Sequence, residues 1–62
     1  MRCIIDGKVR KIKFSGTVGN LLKNLDINRQ TVLVKKEGRI VSELEPLTDT
    51  DSIEVITVVF GG

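Results

Sequence analysis

The run Ile53-Glu54-Val55-Ile56-Thr57-Val58-Val59-Phe60 limits this chain more than any other stretch. It is rich in β-branched residues and almost continuously apolar, so it reads as a strand over residues 53–59. A strand with so little polar alternation suits a central position in a sheet, covered on at least one face. Gly61 and Gly62 follow it directly. The upstream chain therefore has to supply neighbouring strands and a cover, and to point the end of this strand into solvent.

The upstream pattern supplies both. Residues 1–5 read as a strand, with Met1, Cys3 and Ile5 on one face. Asp6-Gly7-Lys8 signals a tight turn, and residues 9–14 form the return strand. Along it Ile12 and Phe14 face the core, and Lys11 and Lys13 face away. Ser15-Gly16 breaks the strand, and Thr17 is a plausible N-cap. Val18, Leu21, Leu22 and Leu25 then make the stripe of an amphipathic helix of roughly two turns. A helix this short does not persist alone in water, so it must lie on the sheet. Asn24, Asp26 and Asn28 are the candidates for ending it. Residues 31–36 give a third strand, with Val32 and Val34 on one face and Leu33 and Lys35 on the other. Glu37-Gly38 turns into a short strand, Arg39-Ile40-Val41. Residues 42–52 look irregular around Pro46, with Leu44 and Leu47 expected to anchor them to the core. The sum is an α+β layer of one helix on one sheet. With the last strand central beside the first and parallel to it, the sheet is mixed.

Composition removes most chemistry. A chain of 62 residues reads as one domain, 1–62, and buries only ~60% of its unfolded surface, which leaves little room for a substrate pocket beside the core. It has no histidine, the commonest general base and metal ligand. Cys3 is the only cysteine, so neither a disulfide nor a cysteine metal cluster forms within the chain, and it reads as a small core residue. The acids show no metal-loop spacing. No apolar run approaches ~20 residues and no leader precedes the first strand, so no membrane is expected and a reducing cytoplasm is the expected location. Ten basic and eight acidic residues are interleaved, for a net charge of +2. Lys8, Arg10, Lys11 and Lys13 cluster locally and read as a solvated strand face, the alternative being contact with an acidic partner or RNA. With only two phenylalanines and no other aromatic residue, a stacking platform for nucleic acid is not visible.

The order of elements, the stretch Val32-Leu33-Val34-Lys35-Lys36-Glu37-Gly38-Arg39-Ile40-Val41, then Leu47 with Asp49-Thr50-Asp51 and Ile53-Glu54-Val55-Ile56, and the Gly61-Gly62 end resemble the ubiquitin-like β-grasp sulfur carriers. That family includes thiamine-pathway and molybdopterin-pathway carrier proteins, and the thiamine type is the nearer pattern. Relatives often carry Asp-Gly-Asp before the last strand, where this chain has Thr50 between its two acids. The resemblance implies a ubiquitin-like β-grasp fold: a mixed four- to five-stranded sheet, one helix packed across it, and a flexible Gly-Gly tail. It implies that an E1-like adenylating enzyme activates the Gly62 carboxylate with ATP. Sulfur from a donor then gives a thiocarboxylate, which a sulfur-accepting synthase consumes, with thiamine thiazole, molybdopterin and thiolated tRNA as the open destinations. In that scheme the chain has no catalytic side chain and binds no cofactor or metal, since ATP and its metal belong to the partner. Gly61, without a Cβ, threads a narrow channel and Gly62 reacts. Two terminal glycines arise by chance in roughly 0.5% of chains at ~7% usage, so a functional end is the better reading.

Alternation in the last strand puts Ile53, Val55 and Thr57 toward the helix, and Ile56 and Val58 outward with Leu33 and Ile4 as neighbours. An exposed apolar patch on a small domain suits partner docking, and Phe60 stands where it can anchor the tail. Two other function classes stay open. One is a protein modifier joined to target lysines through Gly62. The other is a non-catalytic interaction or RNA-binding module with an inert tail.

Overall fold

The structure is a computed structural model and describes residues 1–58. β1 (Arg2–Ile5) and β2 (Lys8–Lys11) pair antiparallel. Asp6 (φ 48°) and Gly7 (φ 85°) both lie in the left-handed region, as a two-residue type I′ turn demands. The same device recurs at Glu37 (φ 53°) and Gly38 (φ 78°), between β4 (Val32–Lys36) and β5 (Arg39–Val41). β7 (Ser52–Thr57) lies in the middle of a five-stranded sheet of order β2-β1-β7-β4-β5. It runs parallel to β1 and antiparallel to β4, so the sheet is mixed as expected.

The helix α1 spans Val18–Asn24 and starts as its sequence requires. The Thr17 hydroxyl oxygen accepts from the Asn20 amide at 3.2 Å. Two more orphan amides of the first turn, those of Val18 and Gly19, donate to the carbonyls of Glu45 and Glu43 at 3.0 and 2.8 Å. At the other end Asp26 (φ 58°) takes the left-handed position that glycine usually fills. The Ile27 amide donates to Leu22 O at 2.8 Å and the Asp26 amide to Lys23 O at 3.1 Å, a Schellman closure. Asn28 then caps a short 3-10 turn, Arg29–Thr31.

Val18, Leu21 and Leu22 of the helix meet Cys3, Val34, Leu47, Ile53 and Val55 in one buried cluster. Met1, Ile5, Ile12, Phe14, Leu25, Ile27, Val32 and Val41 pack around it, half-buried. The inward faces expected for β1, β4 and β7 and the leucine stripe are therefore found. Burial of one such side chain contributes about 1.5–3 kcal/mol.

Four expectations need correction. Leu44 does not anchor the 42–52 segment: it is 78% exposed. The Leu44 amide donates to Ser42 Oγ and the Glu45 amide to Ser42 O, so a turn there carries Leu44 outward while Leu47 goes in. That segment also holds a strand, β6 (Pro46–Leu47), which pairs with β3 (Gly16–Thr17) where a break was expected. The return strand of the first hairpin ends at Lys11, short of Phe14, because the Phe14 amide is taken by Asp49 Oδ1 at 3.1 Å. Finally, Thr57 is exposed, with its hydroxyl donating to the Asp6 carboxylate instead of turning into the core.

Candidate functional site

The candidate site is the end of β7, which Gly61 and Gly62 follow in the sequence. Three hydrogen bonds fix its last described residues, from residues that flank the two neighbouring strands. On the β1 side, Asp6 Oδ1 accepts from the Thr57 amide at 2.8 Å, and Asp6 Oδ2 from the Thr57 hydroxyl at 2.7 Å. On the β4 side, the Val58 amide donates to Thr31 O at 2.8 Å. The Thr57 hydroxyl, and after it the Thr57 amide, hold the Asp6 carboxyl below the usual carboxylate range. The other end of β7 is fixed differently. Asp51 Oδ2 accepts from the Thr48 amide at 2.7 Å, which lowers that carboxyl too. Lys36 Nζ reaches Pro46 O, Glu45 Oε2 and Asp51 Oδ2 at 3.1, 3.3 and 3.5 Å. These contacts tie the 42–52 segment to β4.

The sheet face away from the helix carries the candidate docking residues. Leu33 and Ile56 lie directly opposite each other across β4 and β7, as expected. One row further along, Val9, Ile4, Glu54, Lys35 and Ile40 follow one another across all five strands. Leu33, Val9 and Ile40 are 38%, 52% and 61% exposed, whereas Ile4, Ile56 and Val58 are half-buried. The face is thus apolar at both margins and toward the end of β7, with one acid and one lysine between. Ile4 borders Glu54 and Val9 rather than Ile56. Phe60, Gly61 and Gly62 lie outside the described residues.

Little else invites chemistry. Cys3 is sealed in the core, and burial pushes its thiol up against the smaller opposing pull of Arg10, so it is a poor nucleophile. Among the described residues no group of three or more His, Cys, Asp or Glu is placed to hold a metal ion. No helix among them is long and apolar enough to cross a membrane. Lys8, Arg10 and Lys11 lie on β2, an exposed edge strand, where lysines discourage edge-to-edge pairing. A shallow groove runs between α1 and Glu43-Leu44, rimmed by the Arg29–Glu43 ion pair. Sequence reasoning missed Asp6 and Thr57 as partners. Asp6 read only as a turn residue, and 51 residues separate the two.

A hairpin, a crossing helix and a second hairpin, closed by a central last strand parallel to the first, make the ubiquitin-like β-grasp fold. Within that class the chain belongs to the ThiS family, whose model matches residues 3–62. Among solved structures it is similar to the thiamine biosynthesis protein (ThiS) from Geobacter metallireducens. The TM-score is 0.67 at 23% identity, over 100% of this chain and 99% of that one, a likeness of fold. No curated protein matches the chain.

Proposed function

We propose that the chain is a sulfur carrier of thiamine biosynthesis whose Gly62 carboxylate is the group that reacts. The match of the ThiS family model over residues 3–62 carries this reading. The thiamine pathway named for the Geobacter metallireducens protein of the same fold agrees with it. So does the chain's own chemistry. It has no histidine, the commonest general base, and its one thiol is buried.

In this scheme an E1-like adenylating enzyme brings ATP and its metal. A Gly62 carboxylate oxygen attacks the α-phosphorus, the bond to the β,γ-phosphates breaks, and pyrophosphate leaves. Hydrosulfide released by a sulfur donor then adds to the acyl carbon, AMP departs with its bonding electrons, and loss of the sulfur's proton leaves the thiocarboxylate. The resulting thiocarboxylate is consumed by a sulfur-accepting synthase. Every barrier-lowering group belongs to these partners; this chain supplies the substrate carboxylate and its delivery. Gly61 passes a channel too narrow for a Cβ. Ile56, Val58 and Leu33 dock, and Phe60 anchors the tail. The carrier works in the cytoplasm.

The test is the intact mass of the protein isolated from its native host. The expected species is heavier by the difference between one sulfur and one oxygen, and the gain disappears when Gly61 and Gly62 are deleted. Lysine-linked conjugates with no such species would replace the carrier reading by the modifier reading. A host that makes thiamine normally with the deleted chain would refute both the tail chemistry and the pathway.

A further inference from the structure

β1 turns away from β7 one residue too soon. The Asp6 amide donates to Val55 O at 3.0 Å, the last backbone bond from that strand to β7. In a parallel ladder the next bond would run from the Thr57 amide to the Asp6 carbonyl. At Asp6, however, the backbone is already left-handed and entering the hairpin. Its side chain takes the missing place: Oδ1 accepts from the Thr57 amide and Oδ2 from the Thr57 hydroxyl. A carboxylate thus extends the sheet by one rung, at the last residue of β7.

The turn alone does not need an aspartate. Asn-Gly and Gly-Gly form the same two-residue turn equally well. Asp6 and Thr57 are both exposed and belong to no part of the buried cluster. Gly62 is the fourth residue after Val58, a reach of at most about 14 Å. The point and direction at which the chain leaves Thr57 therefore set the region that the Gly62 carboxylate can reach. Together with the Val58 amide held by Thr31, the grip defines where and in which direction the chain leaves the sheet.

From this geometry we infer that Asp6 is a positioning residue for the reacting end, aiming the tail by holding Thr57 through both carboxylate oxygens. The inference rests on the carrier reading above. Aiming the tail before docking removes part of the ordering cost from the encounter with the activating enzyme. The effect therefore belongs in KM for the carrier, since a tail already seated in the partner's channel is positioned by the partner.

The experiment measures ATP–pyrophosphate exchange by the native host's activating enzyme, with the full-length chain varied in concentration. D6G keeps the turn and deletes the grip. D6N keeps an amide acceptor for Thr57 and a residue that tolerates the left-handed backbone. T57V removes only the hydroxyl bond, and stands in if D6G does not fold. D6G is expected to raise KM about three- to tenfold with kcat within about twofold of wild type, T57V to do so by less, and D6N to stay near wild type. Amide exchange at Thr57 should quicken in D6G while the core amides keep their protection. Wild-type KM in D6G, or in T57V where D6G does not fold, overturns the inference and leaves the carrier reading intact. So does a D6N defect as large as that of D6G. A wild-type chain that supports no exchange overturns both.

Discussion

One strand, β7, shows both faces of the sheet in alternate residues. Ile53 and Val55 are 2% and 0% exposed beneath the helix, while Glu54 and Ile56, which alternate with them, look out from the other face, half-buried. The apolar content of the two sides is similar, but what covers them is not. The inner side has α1, set down by the Thr17 cap and the Schellman closure at Asp26. Among the described residues the outer side has only its own cross-strand neighbours, such as Leu33 opposite Ile56. The inner face therefore stores the stability of the fold, and the outer face, among the described residues, leaves Leu33, Val9 and Ile40 exposed. Leu21, fully buried at the centre of the helix stripe, breaks or supports this contrast most directly. Leu21→Ala should cost about 2–5 kcal/mol, read from chemical denaturation, because a small core has few ways to collapse around the cavity. A cost below about 1 kcal/mol would mean that the two faces do not differ as described.

The outer face is tested by Ile56→Ala and Leu33→Ala. Half-buried and exposed at its end of the sheet, each should lower stability by about 1 kcal/mol or less. If the face docks the adenylating enzyme, the pair should raise KM for the carrier several-fold and leave kcat unchanged, the signature of lost uniform binding. Stability losses as large as that of Leu21→Ala would show that the outer face is structural instead.

Where the sequence was legible, the signals were local. The Asp6-Gly7 and Glu37-Gly38 turns, the Thr17 cap, the stripe from Val18 to Leu25 and the apolar run of β7 each state a backbone preference or a period within a few residues. They suffice for a mixed sheet with a central last strand. The losses were non-local. β3 and β6 hold two residues each, too few for any period, and exist because Glu43 and Glu45 come down on the start of the helix. Leu44 points outward because of a turn at Ser42, and no hydrophobic pattern carries that information. The adjacency of Leu33 and Ile56 followed from alternation once β4 and β7 were neighbours. The grip of Asp6 on Thr57 did not, because an aspartate before glycine already has a full explanation as a turn residue.

The two ends of β7 sharpen the contrast further, because carboxylates hold them rather than burial. Asp6 accepts from Thr57 at one end, and Asp51 accepts from Thr48 just before the other. Both carboxyls are lowered in the folded chain, chiefly by those hydrogen bonds: the Thr57 hydroxyl for Asp6 and the Thr48 amide for Asp51. A group lowered on folding binds its proton more weakly in the native state, so its contribution is complete above the unfolded value, about 4 for aspartate. It is lost as the pH falls through the lower, folded value. Stability should consequently be flat with respect to these two groups between pH 7 and about 5, and should fall only in stronger acid. The total change should be the smallest of the three, because the Asp6 carboxylate is solvated and screened and the half-buried Asp51 loses only its local contacts with Thr48 and Lys36. Acidification followed by amide exchange should expose Thr57 and Thr48 before the amides of Leu21, Leu22 and Val55. Loss of the core amides first would place the acid-sensitive contacts on the inner face and undo the division of labour between burial and hydrogen bonding along this strand.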